Sequence, residues 1–291
     1  MARQSSHREN GDARVAIIAG YGRLPVDVAL AARQQGIDPV IFALSGEADH
    51  DWSDFDHLEL PIANFSKAVK MLRMYNVDRI ILAGGVRNRP KILDIRITLK
   101  MLFSMPKILK EILSGGDDAL LRTTIKTFEM FGVEVIGAQE IAPNLLAEEG
   151  VLGNVEVSEF DQIDIDVASA AASQLGLQDK GQAAVAINGK LVATEGPDGT
   201  DAMLTKVSAQ NHRETKVGGQ GVLVKLCKPQ QDRRADLPTI GPNSVQKAHE
   251  AGLSGIAVEA GRSFILDKEN VIREANKHGI FIAGISRKAS S

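Results

Sequence analysis

Residues 15–25 read VAIIAGYGRLP. Five consecutive apolar residues are too short a run for a buried helix and suit a strand covered on both faces; the two glycines after them mark a turn. Pro25 then stands where a first helical turn tolerates proline, and VDVALAARQQG carries apolar residues at helical spacing up to Gly36. A second apolar run, DPVIFAL, follows at residues 38–44. Strand, glycine turn, helix and strand within thirty residues make a βαβ unit, whose strands must be parallel because a helix carries the chain back.

The same grammar repeats downstream. FSKAVKMLRMYN (65–76) reads as a helix and VDRIILAGGV (77–86) as another buried strand ending in paired glycines. Parallel strands with crossover helices predict a Rossmann-like domain over 14–147. Within it, residues 98–113 form an apolar, lysine-bearing helical pattern broken at Pro106; it suits a core-facing helix, an anionic membrane surface or an acyl-chain tunnel. GDDALLRTTIKTFEMFG (116–132) begins a further helix, with Asp117 and Asp118 as its cap rather than as metal ligands, the other role open to them, and VEVIGAQEIAP (133–143) reads as the last strand. Residues 148–156, rich in glycine and acidic side chains, are expected to be a linker. A C-terminal α/β domain over 157–291 follows, with a helix at 164–176 and a hairpin turning at Asn188-Gly189. Next come a helix from GTDAML, a strand GVLVKLC, a helix PNSVQKAHEAG, a strand GIAVEAG and a final helix and strand.

Composition excludes several classes. The chain has 291 residues and a net charge of −3 with both signs interspersed, so it carries no global attraction for nucleic acid. One cysteine, Cys227, cannot form an internal disulfide, no stretch of about 18 apolar residues offers a membrane span, and residues 1–13 are a polar lead-in without the apolar core of a secretory signal. A cytoplasmic location is expected. The six histidines have neither metal-ligand spacing nor a place near a nucleophile turn, which argues against zinc or serine hydrolase chemistry.

Five stretches carry candidate chemistry. Gly20 and Gly22 in AGYGRLP either present amides to a phosphate or make a tight βα turn; Pro25 replaces the third glycine of the dinucleotide fingerprint, which disfavours a nicotinamide oxidoreductase. Gly84 and Gly85, followed by Arg87 and Arg89, end another strand, where open parallel sheets bind ligands, or form a solvated loop. TEGPDGTDAML sets Glu195, Asp198, Thr200 and Asp201 around a helix start, suiting Mg²⁺, phosphate or simple capping. KPQQDRRADLPTIGP (228–242) brings Lys228, Asp232, Arg233, Arg234 and Asp236 together just after Lys225, offering cations for phosphate oxygens and carboxylates for a metal or a water, or else a salt-bridged loop. EAGRS (259–263) adds one more carboxylate.

Taken in order, AGYGRLP, AGGVRNRP, GDDALLR, GQAAV, EGPDGTDAML, VLVKLCKPQQDRRADLPTIGP and GIAVEAGRSFILD resemble the LpxI-type UDP-2,3-diacylglucosamine pyrophosphatases of lipid A biosynthesis, across about residues 15–285. The resemblance implies a Mg²⁺-dependent hydrolase that splits UDP-2,3-diacylglucosamine into 2,3-diacylglucosamine 1-phosphate (lipid X) and UMP by attack of water on the sugar-side phosphorus. It also implies a substrate site in the interdomain cleft, a catalytic and lipid-binding C-terminal domain, a homodimer, and transient contact with the inner-membrane surface. Carried onto this chain, Asp236 is the leading essential carboxylate and Asp232 the second. Asp236 and Asp201 are the expected Mg²⁺ ligands, with Lys225 and Lys228 stabilising the transferring phosphate. Thr200, Ala202, Gln231 and Thr239 are expected at diphosphate or sugar, and Gly20, Gly22, Gly84 and Gly85 on the nucleotide side. A non-catalytic lipid or nucleotide carrier is the alternative. Gly196-Pro197 and Cys227 depart from the family pattern and bear on acyl-chain preference.

Overall fold

A computed structural model describes residues 14–62, 64–88, 117–211 and 221–287. The lead-in, Arg89 and the 98–113 pattern lie outside the described residues, as do the side chains of Asp117 and Asp118. The chain divides into two compact units, one ending at Ala138 and the other starting at Gln139.

The first unit carries β1 (Arg14–Ala19), α1 (Leu24–Gln34), β2 (Val40–Leu44), β3 (Asp56–Leu60), α2 (Phe65–Met74), β4 (Val77–Ala83), α3 (Asp117–Met130) and β5 (Glu134–Ile136). Its sheet has the order β3-β2-β1-β4-β5 and every pair is parallel. From Val15 to Ala19, β1 is buried throughout, as a central strand covered on both faces requires. Pro25 occupies the first turn of α1, whose Val28, Ala29, Ala31 and Ala32 are buried. The Asn64 side chain caps α2 by accepting from the Lys67 amide at 3.0 Å.

Two details differ from the sequence expectation. β3 was not anticipated: DHLEL exposes Asp56, His57 and Glu59 and buries only Leu60, so its polar character is that of an edge strand rather than of a core run. The expected strand over 133–143 stops at Ile136; after Gly137 the chain turns into α4 (Ala138–Ile141), which buries Ala138 and Ile141 at helical spacing.

The second unit continues with β6 (Gly150–Leu152), α5 (Glu159–Leu177), β7 (Ala183–Ile187), β8 (Lys190–Thr194), α6 (Gly199–Asn211), β9 (Val222–Lys225), β10 (Thr239–Ile240), α7 (Pro242–Glu250), β11 (Gly255–Glu259), β12 (Phe264–Ile265), α8 (Lys268–His278) and β13 (Phe281–Ile285). The sheet order is β6-β13-β11-β9-β7-β8. β13, β11 and β9 are mutually parallel at the centre, while β6, β7 and β8 are antiparallel to their neighbours. Residues 150–152, expected in a linker, are thus an edge strand on β13, and Asn154 is tied to α8 through the Asn276 side chain at 2.8 Å. β10 and β12 form a separate parallel pair.

Period-two alternation divides the core into two layers. Ala184, Ala186, Val222 and Val224 pack with Ile165, Ala168 and Ala172 of α5. Ala183, Val185 and Leu223 pack on the other face with Met203, Leu204 and Val207 of α6 and Val245 of α7. The hairpin turns as its sequence predicts, with positive φ at Asn188 and Gly189. Its two amides donate to the buried Asp164 carboxylate of α5 at 3.1 and 2.6 Å. Among the described residues no helix is long and apolar enough to cross a membrane.

Candidate active site

Because β9, β11 and β13 run parallel, their carboxyl ends lie along one edge of the sheet, and there the chain places Lys225, Glu259 and, just beyond β13, Arg287. Alternation along β9 decides where Lys225 points. Val222 and Val224 face α5 and Leu223 faces the α6 side, so Lys225 shares the face of Leu223. Its Nζ donates to the Thr239 carbonyl at 3.0 Å, at the start of β10. Burial pushes the Lys225 ammonium below the usual lysine range, while the charges of Glu195, Asp236 and Asp201 pull it back up. Three carboxylate charges therefore act on one half-buried cation.

Each of those carboxylates comes from a different local device. Ala183 pairs with Lys225 across the β7–β9 ladder, and the Glu195 amide donates to the Ala183 carbonyl at 2.9 Å, which brings Glu195 to the same edge. Glu195 in turn accepts from the Gln182 amide at 2.7 Å and from the Thr200 hydroxyl at 2.5 Å. Asp201, in the first turn of α6, pairs with Lys247 of α7 at 2.6 Å. Asp236 sits in the irregular loop between β9 and β10; its amide donates to the Asp232 carbonyl at 3.2 Å and its carboxylate accepts from the Gln231 side chain.

Not every expected residue joins this group. Lys228 turns to Asp179 at the end of α5, 2.8 Å away, and the neighbouring Gln230 donates to the Gly176 carbonyl at 2.7 Å. The Asp232 carboxylate is clasped by the Arg234 guanidinium at 3.0 and 2.8 Å and also accepts the Arg234 amide at 3.1 Å, which shapes the loop. Ala202 follows Asp201 on α6, and the Thr239 hydroxyl donates to the Leu237 carbonyl at 3.0 Å.

The buried Glu259 was legible only as one further carboxylate. In the fold it accepts the Cys227 amide at 3.0 Å and pairs with Arg287 at 2.9 Å and Arg262 at 3.4 Å. The available signal was its position: a carboxylate ending a fully buried apolar strand has to be paired. The Cys227 thiol, buried and close to Glu259, is pushed up to about 11, burial being the larger cause.

In the first unit the glycine-bearing ends of β1 and β4 flank the point where strand order reverses. Gly20 and Gly85 approach so closely that a Cβ on Gly20 would fall 2.1 Å from the Gly85 carbonyl oxygen. Tyr21 and Gly85 exchange amide-to-carbonyl bonds at 2.9 Å in both directions, and the Gly22 amide donates to Asp49 at 2.9 Å. Gly84 has a φ of 86°, beyond the ordinary reach of a side-chain-bearing residue. The buried Glu47 accepts the Arg87 and Asn88 amides at 2.6 and 2.9 Å, and the Arg87 guanidinium lies 4.1 Å from the Tyr21 ring centre. Nothing local in the sequence marks Glu47 and Asp49, because their partners lie 27 to 41 residues away.

Among the described residues no cluster of three or more histidine, cysteine or carboxylate side chains forms a complete metal site. Asp236 and Asp201 offer oxygen donors of the kind a hard cation such as Mg²⁺ takes, one or two carboxylates together with substrate phosphates. A half-buried lysine at a strand end is suited to meeting a dense anion, because its charge is only partly screened by water.

Comparison with known proteins is specific. The LpxI N-terminal domain matches residues 14–145 and the LpxI C-terminal domain matches residues 148–283. The UDP-2,3-diacylglucosamine pyrophosphatase LpxI of Caulobacter vibrioides is 35% identical over 277 residues, covering 94% of this chain and 97% of the relative. With both domains matched in sequence order and the relative aligned along nearly its whole length, the chain belongs to the LpxI family.

Proposed function

We propose that this chain hydrolyses the diphosphate of UDP-2,3-diacylglucosamine to 2,3-diacylglucosamine 1-phosphate and UMP, with Mg²⁺ as cofactor, in lipid A biosynthesis. Family membership and the relative's activity support the substrate. The observation that carries the reaction type is Lys225, a half-buried cation at the carboxyl end of β9, fixed by its bond to the Thr239 carbonyl and under the pull of the Glu195, Asp236 and Asp201 charges.

Asp236 and Asp201 would hold the Mg²⁺, which when bound would neutralise diphosphate charge and polarise the bond to be broken. Lys225 stabilises the charge that builds on the oxygens of the transferring phosphate, from a fixed position set by its bond to Thr239. Asp236 orients the attacking water toward the sugar-side phosphorus; one P–O bond forms, the bridging P–O bond breaks, and UMP departs with the bridging oxygen. Thr200, held by Glu195, and Ala202 lie at the start of α6, where helix amides suit phosphate oxygens. Lys228 and Asp232 act at one remove, by fixing the loop that carries Asp236. The glycine-bearing strand ends of the first unit serve the uridine nucleotide. A cytoplasmic homodimer, transiently touching the inner membrane to reach its acylated substrate, completes the reading.

The test is release of UMP from UDP-2,3-diacylglucosamine by the full chain. Release in Mg²⁺ that stops in EDTA is expected. Binding of the lipid with no UMP under either condition would leave a carrier.

A further inference from the structure

We infer that Gln231 is a positioning residue that aims the Asp236 carboxylate, and that Glu259 and Arg287 hold Gln231 in place from behind; this rests on the hydrolase reading above. Gln231 is 7% exposed, so both ends of its side-chain amide have to find partners within the protein. The oxygen end is settled by chemistry. A backbone N–H can only donate, and the Lys228 amide reaches Gln231 Oε1 at 3.3 Å, with the Cys227 thiol donating to the same oxygen at 3.6 Å. The NH₂ end must then face the other way, and there it donates to Asp236 Oδ2. The flip of this amide is thus fixed by its neighbours, and it presents Asp236 with a donor that holds one carboxylate oxygen in place.

Loop geometry closes around the same contact. The amides of Ala235 and Asp236 both donate to the Asp232 carbonyl, at 3.0 and 3.2 Å, which curls the chain so that Asp236 returns over Gln231 five residues after it. Glutamine has one more methylene than asparagine, and that reach spans the curl.

Behind Gln231 stands a clamp. Both backbone groups of Cys227 are engaged by one ion pair: the amide donates to Glu259 Oε2 at 3.0 Å and the carbonyl accepts from Arg287 at 2.6 Å. Glu259 and Arg287 are joined at 2.9 Å, and Glu259 is 3% exposed. The clamp draws on β11 and the segment after β13, so it fixes the exit of β9 to two other strands of the sheet. Order then passes from Glu259 and Arg287 to Cys227 and Lys228, to Gln231, and to Asp236. A glutamine that only held the loop would need its oxygen alone; the donor end aimed at a carboxylate assigns it the second role.

Gln231→Glu separates the two roles. It keeps the side-chain length and the acceptor for the Lys228 amide, but removes the donor and sets a carboxylate against Asp236. Gln231→Met, similar in length, removes both ends and guards against a folding defect in the first variant. With UDP-2,3-diacylglucosamine and saturating Mg²⁺, each is expected to lose about 10- to 100-fold in kcat, with KM within about threefold of wild type, as misaimed catalytic groups do. Glu259→Gln, two contacts removed, is expected to lose about threefold to tenfold in kcat. Wild-type kcat in either folded Gln231 variant would overturn the inference, as would a change confined to KM. Absence of UMP release from the wild type would instead defeat the hydrolase reading, so the two failures are distinguishable.

Discussion

The two sheets of this protein treat the carboxyl ends of their parallel strands in opposite ways. In the first unit, the ends of β1 and β4 are brought so close that only glycine fits, and their amides are bonded to one another or to Asp49. Glu47 takes up the next two amides, of Arg87 and Asn88. In the second unit, the end of β9 carries a half-buried lysine on which three carboxylate charges act. The lesson is that a glycine turn at a strand end is first a solution to backbone crowding. A charge kept in an unfavourable setting is the stronger sign of chemistry, since burial that costs stability persists where it is used.

The largest expected effect lies on the charged side of this comparison. Lys225→Met is expected to lower kcat by about 10²- to 10³-fold, comparable to removing one preorganised donor at a developing negative charge. Urea unfolding should show the variant still folded. Turnover within a few-fold of wild type would erase the distinction between the two sheet edges.

Gly20→Ala probes the crowded side. A methyl directed at the Gly85 carbonyl, 2.1 Å from its oxygen, forces two backbones apart, and a loss of about 3 kcal/mol or more in unfolding free energy is expected. An unchanged denaturation midpoint with a raised KM for substrate would show that the glycine serves ligand rather than packing.

The smallest effect concerns Cys227. Its thiol, pushed up to about 11 by burial and by Glu259, stays protonated at pH 8, so native protein should react with iodoacetamide far more slowly than protein unfolded in urea. The sign of the linkage follows. The folded value is above the ordinary thiol value of 9.0, so this group's contribution to stability is complete below about pH 9 and is lost as pH rises toward 11. Rapid alkylation of native protein at pH 8 would mean that the Glu259–Cys227–Arg287 clamp is open in solution.

Much of this organisation could be read from the chain. Apolar runs bounded by glycine marked β1, β2, β4, β9 and β11, and Asn188-Gly189 marked the hairpin, because in each case the cause is local. β3, β6 and the β10–β12 pair escaped. They are two to five residues long, mostly polar or isolated, and exist because a distant strand offers a ladder. Lys225 and Asp236 were already grouped in the sequence, yet the devices that hold each were not legible: they depend on strand parity, on the Ala183–Lys225 register and on the curl of the thirteen-residue loop between β9 and β10. Lys228 looked equivalent to Lys225, and only the end of α5 shows it committed to Asp179.

The proposed metal-assisted hydrolysis turns on Asp236, the carboxylate held by Gln231. The most direct measurement is UMP release from UDP-2,3-diacylglucosamine by the wild type and by Asp236→Ala, each with saturating Mg²⁺ and with EDTA. The account predicts release by the wild type in Mg²⁺ alone and a loss of at least about 10³-fold in the variant. Turnover by Asp236→Ala within a few-fold of wild type at saturating Mg²⁺ would contradict it.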